Sequence, residues 1–465
     1  MPCGGNGLCG KCKVRVDGVV SPISEQEKSL LTIDEIKQGV RLACFTRIEG
    51  DCIVSIPDPT MRYAHISENT TTNDAPTASW NYAVVVDIGT TTIAAVLCDG
   101  YGRILEKTTV VNPQTAWGAD VLTRAEAATA GEGERLTECI RACVNEQIAA
   151  LCTTTQLELE KIDSLVITGN TVMLCLYTGE TVEGFLCAPF RSACLFDTTR
   201  TAAQCGVAGV RADVPVYFPR CLDAFLGADF VCAMSAVQLF EDNRTALLLD
   251  IGTNSEMALW HQGTLYACST AAGPAFEGVG ISCGMPAVCG AIEHADVINH
   301  RLDYRVIGDG EIQGVCGSGL VDLLACLRQL QELDDNGCLL EDPYRLSDEV
   351  QLTQKDVHGL LISKSAIRSG LETLLYRAGI TPDEVDIVYL AGGFGSTLHI
   401  SAAVMIGLLP REISAKIQLV GNAALEGARR LLWKDKNDSI PLMRKVDLAT
   451  DPYFADAFIR NMALK

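Results

Sequence analysis

Three cysteines, Cys3, Cys9 and Cys12, stand at C-x5-C-x2-C spacing in the opening stretch Pro2-Cys-Gly-Gly-Asn-Gly-Leu-Cys-Gly-Lys-Cys12. A fourth, Cys44, follows in Arg41-Leu-Ala-Cys-Phe-Thr46. Glycines let a backbone curl so that several thiolates and N–H groups face one inorganic centre. Four thiolates are the ligand set of a [2Fe–2S] cluster, and also of a structural zinc site. The glycine-rich loop and the solitary fourth cysteine favour the cluster, at a spacing one residue longer than the plant-type pattern. The remaining thiols lack ligand spacing. Cys52, Cys139, Cys143, Cys175, Cys187, Cys194, Cys205, Cys221 and Cys232 are therefore expected in the core.

A second chemistry is written twice. Ala83-Val-Val-Val-Asp-Ile-Gly-Thr-Thr91 and Ala246-Leu-Leu-Leu-Asp-Ile-Gly-Thr-Asn254 lie 163 residues apart (250 minus 87). Each apolar run predicts a strand buried on both faces. Each glycine predicts a tight turn into a return strand, over 92–97 and 256–260. Such a turn aims N–H groups and hydroxyls at one spot, which suits a phosphate. Gly89, Thr90, Thr91, Gly252, Thr253 and Asn254 are the expected phosphate contacts. Asp87 and Asp250, at the strand ends, are the expected catalytic pair, holding a Mg²⁺ that bridges phosphate oxygens. One such hairpin is ordinary; repetition implies two like halves around one ligand.

Other segments supply the surroundings. In Val388-Tyr-Leu-Ala-Gly-Gly-Phe-Gly-Ser396, the run Gly392, Gly393, Phe394 and Gly395 lets backbone lie flat against an adenine or ribose. Leu165-Val-Ile-Thr-Gly-Asn-Thr171 and Leu419-Val-Gly-Asn-Ala-Ala-Leu-Glu-Gly-Ala428 share a strand, Gly-Asn, helix scheme, read as a second echo between the halves. The first is expected to connect the lobes near the cleft. Gly314-Val-Cys-Gly-Ser-Gly-Leu-Val-Asp322 opens a helix whose start suits an anion. Glu277, alone among small residues, suits a water, a Mg²⁺ or a turn; Asp229 suits the nucleotide or a helix start.

The chain as a whole sets bounds. A net charge of −21 and a pI near 4.7 exclude nucleic acid and anionic membranes as natural partners. No apolar run has transmembrane length, and no signal peptide precedes Cys3. The 21 cysteines then indicate a reducing, cytoplasmic setting. The polar, aperiodic stretch 58–81 reads as a linker. The expected organisation is a [2Fe–2S] ferredoxin-like domain over 1–57, the linker, and two lobes over 82–244 and 245–465. The fold class is α/β, with α+β at the N-terminus.

In this order the segments from Tyr82 to Ala428 resemble the acetate kinase, sugar kinase, Hsp70 and actin superfamily, whose two ribonuclease H-like lobes clamp a nucleotide. Asp87-Ile-Gly-Thr-Thr and Asp250-Ile-Gly-Thr-Asn match its phosphate motifs and Ala391-Gly-Gly-Phe-Gly its adenosine motif, which implies ATP. The opening resembles a β-grasp ferredoxin of adrenodoxin-like spacing. Such domains carry two strands before the first cluster cysteine; only Met1 and Pro2 stand there, so an N-terminally incomplete domain is expected. The whole chain resembles the reductive activators of corrinoid proteins, through 273–285, Leu352-Thr-Gln-Lys-Asp356, 421–428 and Asp451-Pro-Tyr-Phe454. That resemblance implies ATP-dependent reduction of corrinoid cobalt from Co(II) to Co(I), a corrinoid protein partner, an electron donor and a homodimer. A small-molecule kinase of the same superfamily and a nucleotide-binding redox sensor remain as alternatives. The activators of acyl-CoA dehydratases, with a [4Fe–4S] cluster between subunits, fit Cys9-Gly-Lys-Cys12 less well.

Overall fold

The computed structural model describes residues 12–55 except 29 and 32, residues 80–433 except 241, 242 and 309, and residues 441 and 443–464. Cys3, Cys9 and most of the expected linker lie outside the described residues.

In the N-terminal module β1 (Lys13–Val20) is central, flanked antiparallel by β2 (Val40–Leu42) and β3 (Ile48–Ser55). β1 and β3 pair with Arg15 opposite Ser55 and Val16 opposite Val54. Cys52 is only half-buried, because the edge strand β3 exposes nearly every other side chain.

Two sheets of the same plan follow. The first runs β6-β5-β4-β7-β9-β8, from β4 (Tyr82–Ile88), β5 (Thr92–Asp99), β6 (Ile104–Val111), β7 (Ser164–Gly169), β8 (Thr198–Thr201) and β9 (Pro215–Phe218). The second holds β10 (Ala246–Ile251), β11 (Ser255–His261) and β12 (Thr264–Thr270). A small three-stranded sheet is inserted after them: β13 (Ala291–Ile298) between β14 (Arg301–Val306) and β15 (Gly314–Val315). A ribbon, β16 (Tyr344–Arg345) with β17 (Gln351–Leu352), comes next. Then β18 (Ile387–Ala391), β19 (Ile417–Gly421) and β20 (Met443–Lys445) complete the second sheet in the order β19-β18-β10-β11-β12-β20.

In both sheets an antiparallel three-strand meander meets two parallel strands, β7 and β9 in one, β18 and β19 in the other. The apolar runs that open each sheet are covered on both sides. Val84, Val86 and Ile88 enter one core and Val85 another; Leu247, Leu249 and Ile251 enter one core, Ala246 and Leu248 another. Two-residue alternation sends successive side chains to opposite faces, so helices on both faces require an unbroken apolar run.

This correspondence corrects one sequence expectation. β7 is equivalent to β18, and β9 to β19, so Leu165–Thr171 and Leu419–Ala428 are not matching parts of the halves. The helix Thr171–Thr178 stays in the core of its own lobe. The connecting helices are Ala228–Ala236, after β9, and Ala423–Arg430, after β19. Each packs on the other lobe: Phe230, Ala233 and Met234 against Leu248 and Ala258, and Leu425 and Ala428 with Val85, Val96 and Val166. They meet where a Cβ on Gly427 would fall 1.7 Å from the carbonyl oxygen of Cys232.

The cysteine expectation is also corrected in part. Cys143, Cys175, Cys205, Cys221 and Cys232 are buried, but Cys139 is half-buried, as is Cys194, and Cys187 is exposed. Cys187 and Cys194 lie in the loop between Phe185 and β8, outside regular structure. The helix Gln354–Ala378 backs the second lobe with Leu360, Ile367, Leu371 and Leu374. Its buried Lys364 donates to the carbonyls of Asn461 and Ala463 at 2.5 Å each, tying down the C-terminal segment. Among the described residues no helix is long and apolar enough to cross a membrane.

Candidate functional site

Asp87 ends β4 and pairs with Ala94 on β5 and Thr168 on β7. Asp250 ends β10 and pairs with Glu256 on β11 and Ala391 on β18. The two aspartates thus occupy equivalent positions and face one cleft, where Asp229 and Glu256 join them. Loss of hydration dominates their electrostatics. It pushes Asp87 up to about 7, with the Asp250 charge adding and the Asn422 hydrogen bond opposing. It pushes Asp250 up to about 6. Asp229 is raised well above the usual carboxylate range by burial and then by the charges of Asp87 and Asp250. Glu256 is raised by burial and then by Asp229 and Asp250. Four oxygen-donor side chains that resist ionising together are a donor set suited to a hard divalent cation.

The turns above them are cross-braced. Gly89 permits the tight first turn, since a Cβ there would lie 2.7 Å from the Thr92 carbonyl oxygen. Asn112 Nδ2 donates to the Gly89 carbonyl at 2.8 Å, and Asn170 Nδ2 to Thr90 Oγ1 at 3.1 Å. Glu277 spans both turns: Thr91 donates to its Oε2 at 2.7 Å and Thr253 to its Oε1 at 2.6 Å. Asn422, capping the crossing helix from the second lobe, donates through Nδ2 to Asp87 Oδ2 at 3.1 Å. Arg124 is fully buried and donates to the carbonyls of Thr90 at 2.6 Å and Gly118 at 2.9 Å. Burial pulls its pKa down to about 10, partly offset by Asp120 and Glu277, so it remains a cation at neutral pH.

The glycine segment 392–395 divides its labour. Gly392 has φ 88°, and a Cβ there would lie 2.7 Å from Asp250 Oδ1. Gly393 is exposed with nothing within 4 Å of its Cβ position, so no side chain crowds this face of the segment. Phe394 stacks on Phe276 at 5.2 Å and 15°, and Gly395 packs on Leu390. Gly252 has only ordinary contacts, the nearest at 3.5 Å. The anion expected at Gly317-Ser-Gly319 is not supported. A Cβ on Gly317 or Gly319 would strike the carbonyl oxygen of Phe276 or Ile292, at 1.8 and 2.2 Å, and the buried Ser318 already donates to Glu293. Those residues serve close packing. A hollow of about 580 Å³ opens at the far end of β4, lined by Trp80, Asp99, Arg103, Asp163 and Arg211, and none of the four carboxylates borders it.

Sequence reasoning missed Glu256, Arg124 and Asn422. Glu256 was legible in principle: a hairpin centred on 252–254 places it opposite Asp250. Nothing local marks Arg124, whose function depends on a fold-dependent meeting with Thr90.

In the N-terminal module Cys12 Sγ and Cys44 Sγ lie 3.2 Å apart. Glu27 braces the strand that leads to Cys44. It accepts from Arg41 Nε and Nη2 at 2.9 and 2.8 Å and from the Leu42 N–H at 2.8 Å, two residues before Cys44. Burial would raise the Glu27 pKa; these hydrogen bonds outweigh it and hold the carboxylate below its usual range. Among the described residues the cysteines are not in disulfides.

The fold is that of the actin, Hsp70 and sugar-kinase superfamily, preceded by a ferredoxin-like [2Fe–2S] module. Residues 1–49 match a 2Fe-2S iron-sulfur cluster binding domain, 82–242 the RACo middle region, and 244–465 the C-terminal ASKHA domain of RACo. The chain belongs to the RACo-like reductive activators of corrinoid proteins. It is 29% identical over 418 residues to the corrinoid activation enzyme RamQ of Eubacterium limosum, covering 82% of this chain and 70% of that one. It is 24% identical over 409 residues to the [Co(II) methylated amine-specific corrinoid protein] reductase of Methanosarcina barkeri, covering 78% and 73%. The solved structure of a reductive activator for corrinoid,iron-sulfur protein superposes with a TM-score of 0.73 at 26% identity, over 100% of this chain and 93% of that one.

Proposed function

We propose that this protein is an ATP-dependent reductive activator that delivers one electron to a corrinoid protein, converting Co(II) to Co(I). The observation that carries the reading is the cleft in which two equivalent Asp-Ile-Gly-Thr turns, one from each lobe, converge on a shared carboxylate, Glu277. That cleft belongs to a chain whose other module sets two cluster-type thiols side by side. Cys3, Cys9, Cys12 and Cys44 would hold a [2Fe–2S] cluster, which would supply a one-electron carrier fed by a separate electron donor.

In this reading Asp87 and Asp250 would hold Mg²⁺ for the phosphates of ATP, with Asp229 and Glu256 completing the acidic wall. Gly89, Thr90, Thr91, Gly252, Thr253 and Asn254 face the phosphates. Gly392 and Gly393 give the nucleoside a wall without side chains, and Phe394 and Gly395 hold that wall in place from behind. The chain works as a homodimer in the cytoplasm.

The energetics explain why a nucleotide is needed. Co(I) is a strong reductant, and one electron moved uphill by roughly 200 mV costs about 4–5 kcal/mol, at about 59 mV per factor of ten. A ligand that prefers one of two conformations shifts their equilibrium by that amount when its affinities differ some thousandfold. ATP bridging the two turns favours closure about the crossing helices and thereby changes how the protein grips its corrinoid partner. The test is phosphate release by the cluster-loaded protein with and without a Co(II) corrinoid protein. Stimulation by the partner is expected; ATP turnover that ignores it and yields a phosphorylated metabolite would favour the kinase alternative.

A further inference from the structure

We infer a second metal centre, distinct from the cluster cysteines and from the acidic cleft: a site for a divalent first-row transition-metal ion, Zn²⁺ in the first instance, formed by His294, Asp322 and His399. The three come from separate elements: β13, the helix Gly317–Gln329, and the N-cap of the helix Ile400–Met405. His294 Nδ1 lies 2.6 Å and His399 Nδ1 2.7 Å from Asp322 Oδ2, and the two Nδ1 atoms are 3.0 Å apart. All three are among the atoms a metal prefers: neutral imidazole nitrogen and carboxylate oxygen.

Hydrogen bonds from the two imidazoles to one carboxylate oxygen leave this triangle crowded. If both Nδ1 atoms carry hydrogens, the two hydrogens crowd each other on the way to one oxygen. If only one does, the other nitrogen turns its lone pair toward the Oδ2 lone pairs at hydrogen-bond distance. One cation above the triangle turns all three contacts to advantage. Ligands about 2.1 Å from an ion lie about 3.0 Å apart at right angles and about 3.4 Å apart in the tetrahedral set usual for Zn²⁺, so the 2.6, 2.7 and 3.0 Å contacts open by a few tenths of an ångström or more when an ion enters.

A second observation points the same way. The Asp322 side chain is 1% exposed. Its Oδ1 is buried without a hydrogen-bond partner among the described residues, and its Oδ2 also accepts from the Ala295 N–H at 3.2 Å. A buried carboxylate with one idle oxygen is costly unless a charge faces it. The imidazoles are 34% and 40% exposed, so ions enter from solvent and coordination positions stay open. A bound ion ties the inserted sheet to the segment that follows Gly392–Gly395, across sequence separations of 77 and 105 residues.

The test uses the full chain with its cluster in place, treated with a mild chelator and then titrated anaerobically with Zn²⁺ or Co²⁺. The wild type should take up one equivalent per chain more than His294→Ala/His399→Ala, and its melting temperature should rise with Zn²⁺ while the variant's does not. His399→Gln, which keeps a hydrogen bond to Asp322, should bind at least tenfold more weakly. The Co²⁺ difference spectrum should show nitrogen and oxygen ligation without a sulfur-to-metal band. Equal affinity of wild type and His399→Gln for the ion, or a thiolate band carrying all the bound Co²⁺, would overturn the assignment and leave a hydrogen-bonded His-Asp-His group.

Discussion

Replacing Asp87 by Asn should stabilise the cation-free protein while abolishing its use of nucleotide. Asp87 ionises near 7 in the fold against 3.8 ordinarily. The native state therefore keeps a proton that the unfolded chain has already lost, and stability falls as pH rises from about 4 through 7. At 1.36 kcal/mol for each tenfold change in proton affinity, the rise from 3.8 to about 7 sets a ceiling of about 4 kcal/mol. The side chain still reaches cleft water, so about half of that, ~2 kcal/mol, is the working expectation. The substituted amide would carry no such charge and still offers an oxygen to Asn422. At pH 8, without divalent cations, thermal unfolding of the variant should lie about 4–8 °C above wild type. Near pH 4.5 the gap should close. Mg²⁺ with ATP should raise the wild-type transition and leave the variant's unchanged. A variant that melts below wild type at pH 8, or a gap independent of pH, would refute the electrostatic account of the cleft.

Further perturbations probe other parts. Gly427→Ala forces a methyl toward a carbonyl 1.7 Å away and must part the crossing helices. It should lower stability by about 1–3 kcal/mol or more and impair ATP turnover from outside the cleft, and wild-type melting and turnover would contradict the hinge. Glu277→Gln loses one of two charge-assisted hydroxyl contacts, each worth about 1.5–3 kcal/mol. ATP turnover should fall roughly ten- to hundredfold, and the melting temperature by about 3–12 °C. Lys364→Met strands the Asn461 and Ala463 carbonyls, and limited proteolysis should then remove the C-terminal segment faster than in wild type. Cys12→Ser should abolish the reducible [2Fe–2S] signal in EPR while leaving ATP binding intact.

The parts legible in the sequence were those written as local pattern. The apolar runs before Asp87 and Asp250 specified strands covered on both faces, and the Ile-Gly-Thr that follows each specified a turn. Their repetition announced two halves, and the cysteine loop announced an iron–sulfur module. What local pattern misjudged was equivalence. Leu165–Thr171 and Leu419–Ala428 look alike because any parallel strand that feeds a helix favours an Asn N-cap, not because they are the same part of each lobe. Contacts made only by tertiary folding, such as Arg124 on Thr90 or Asn422 on Asp87 across 335 residues, have no signature in spacing. The glycines of Gly317-Ser-Gly looked like an anion cradle because close packing and anion binding demand the same missing Cβ.

The most direct test of the central claim follows cobalt itself. Anaerobic cluster-loaded protein, a reductant and a Co(II) corrinoid protein are mixed with and without Mg²⁺ and ATP, and Co(I) is read by absorption. The account predicts that ATP raises both the rate and the final yield of Co(I), and that Asp250→Asn removes the gain. Equal Co(I) formation with and without ATP would contradict it.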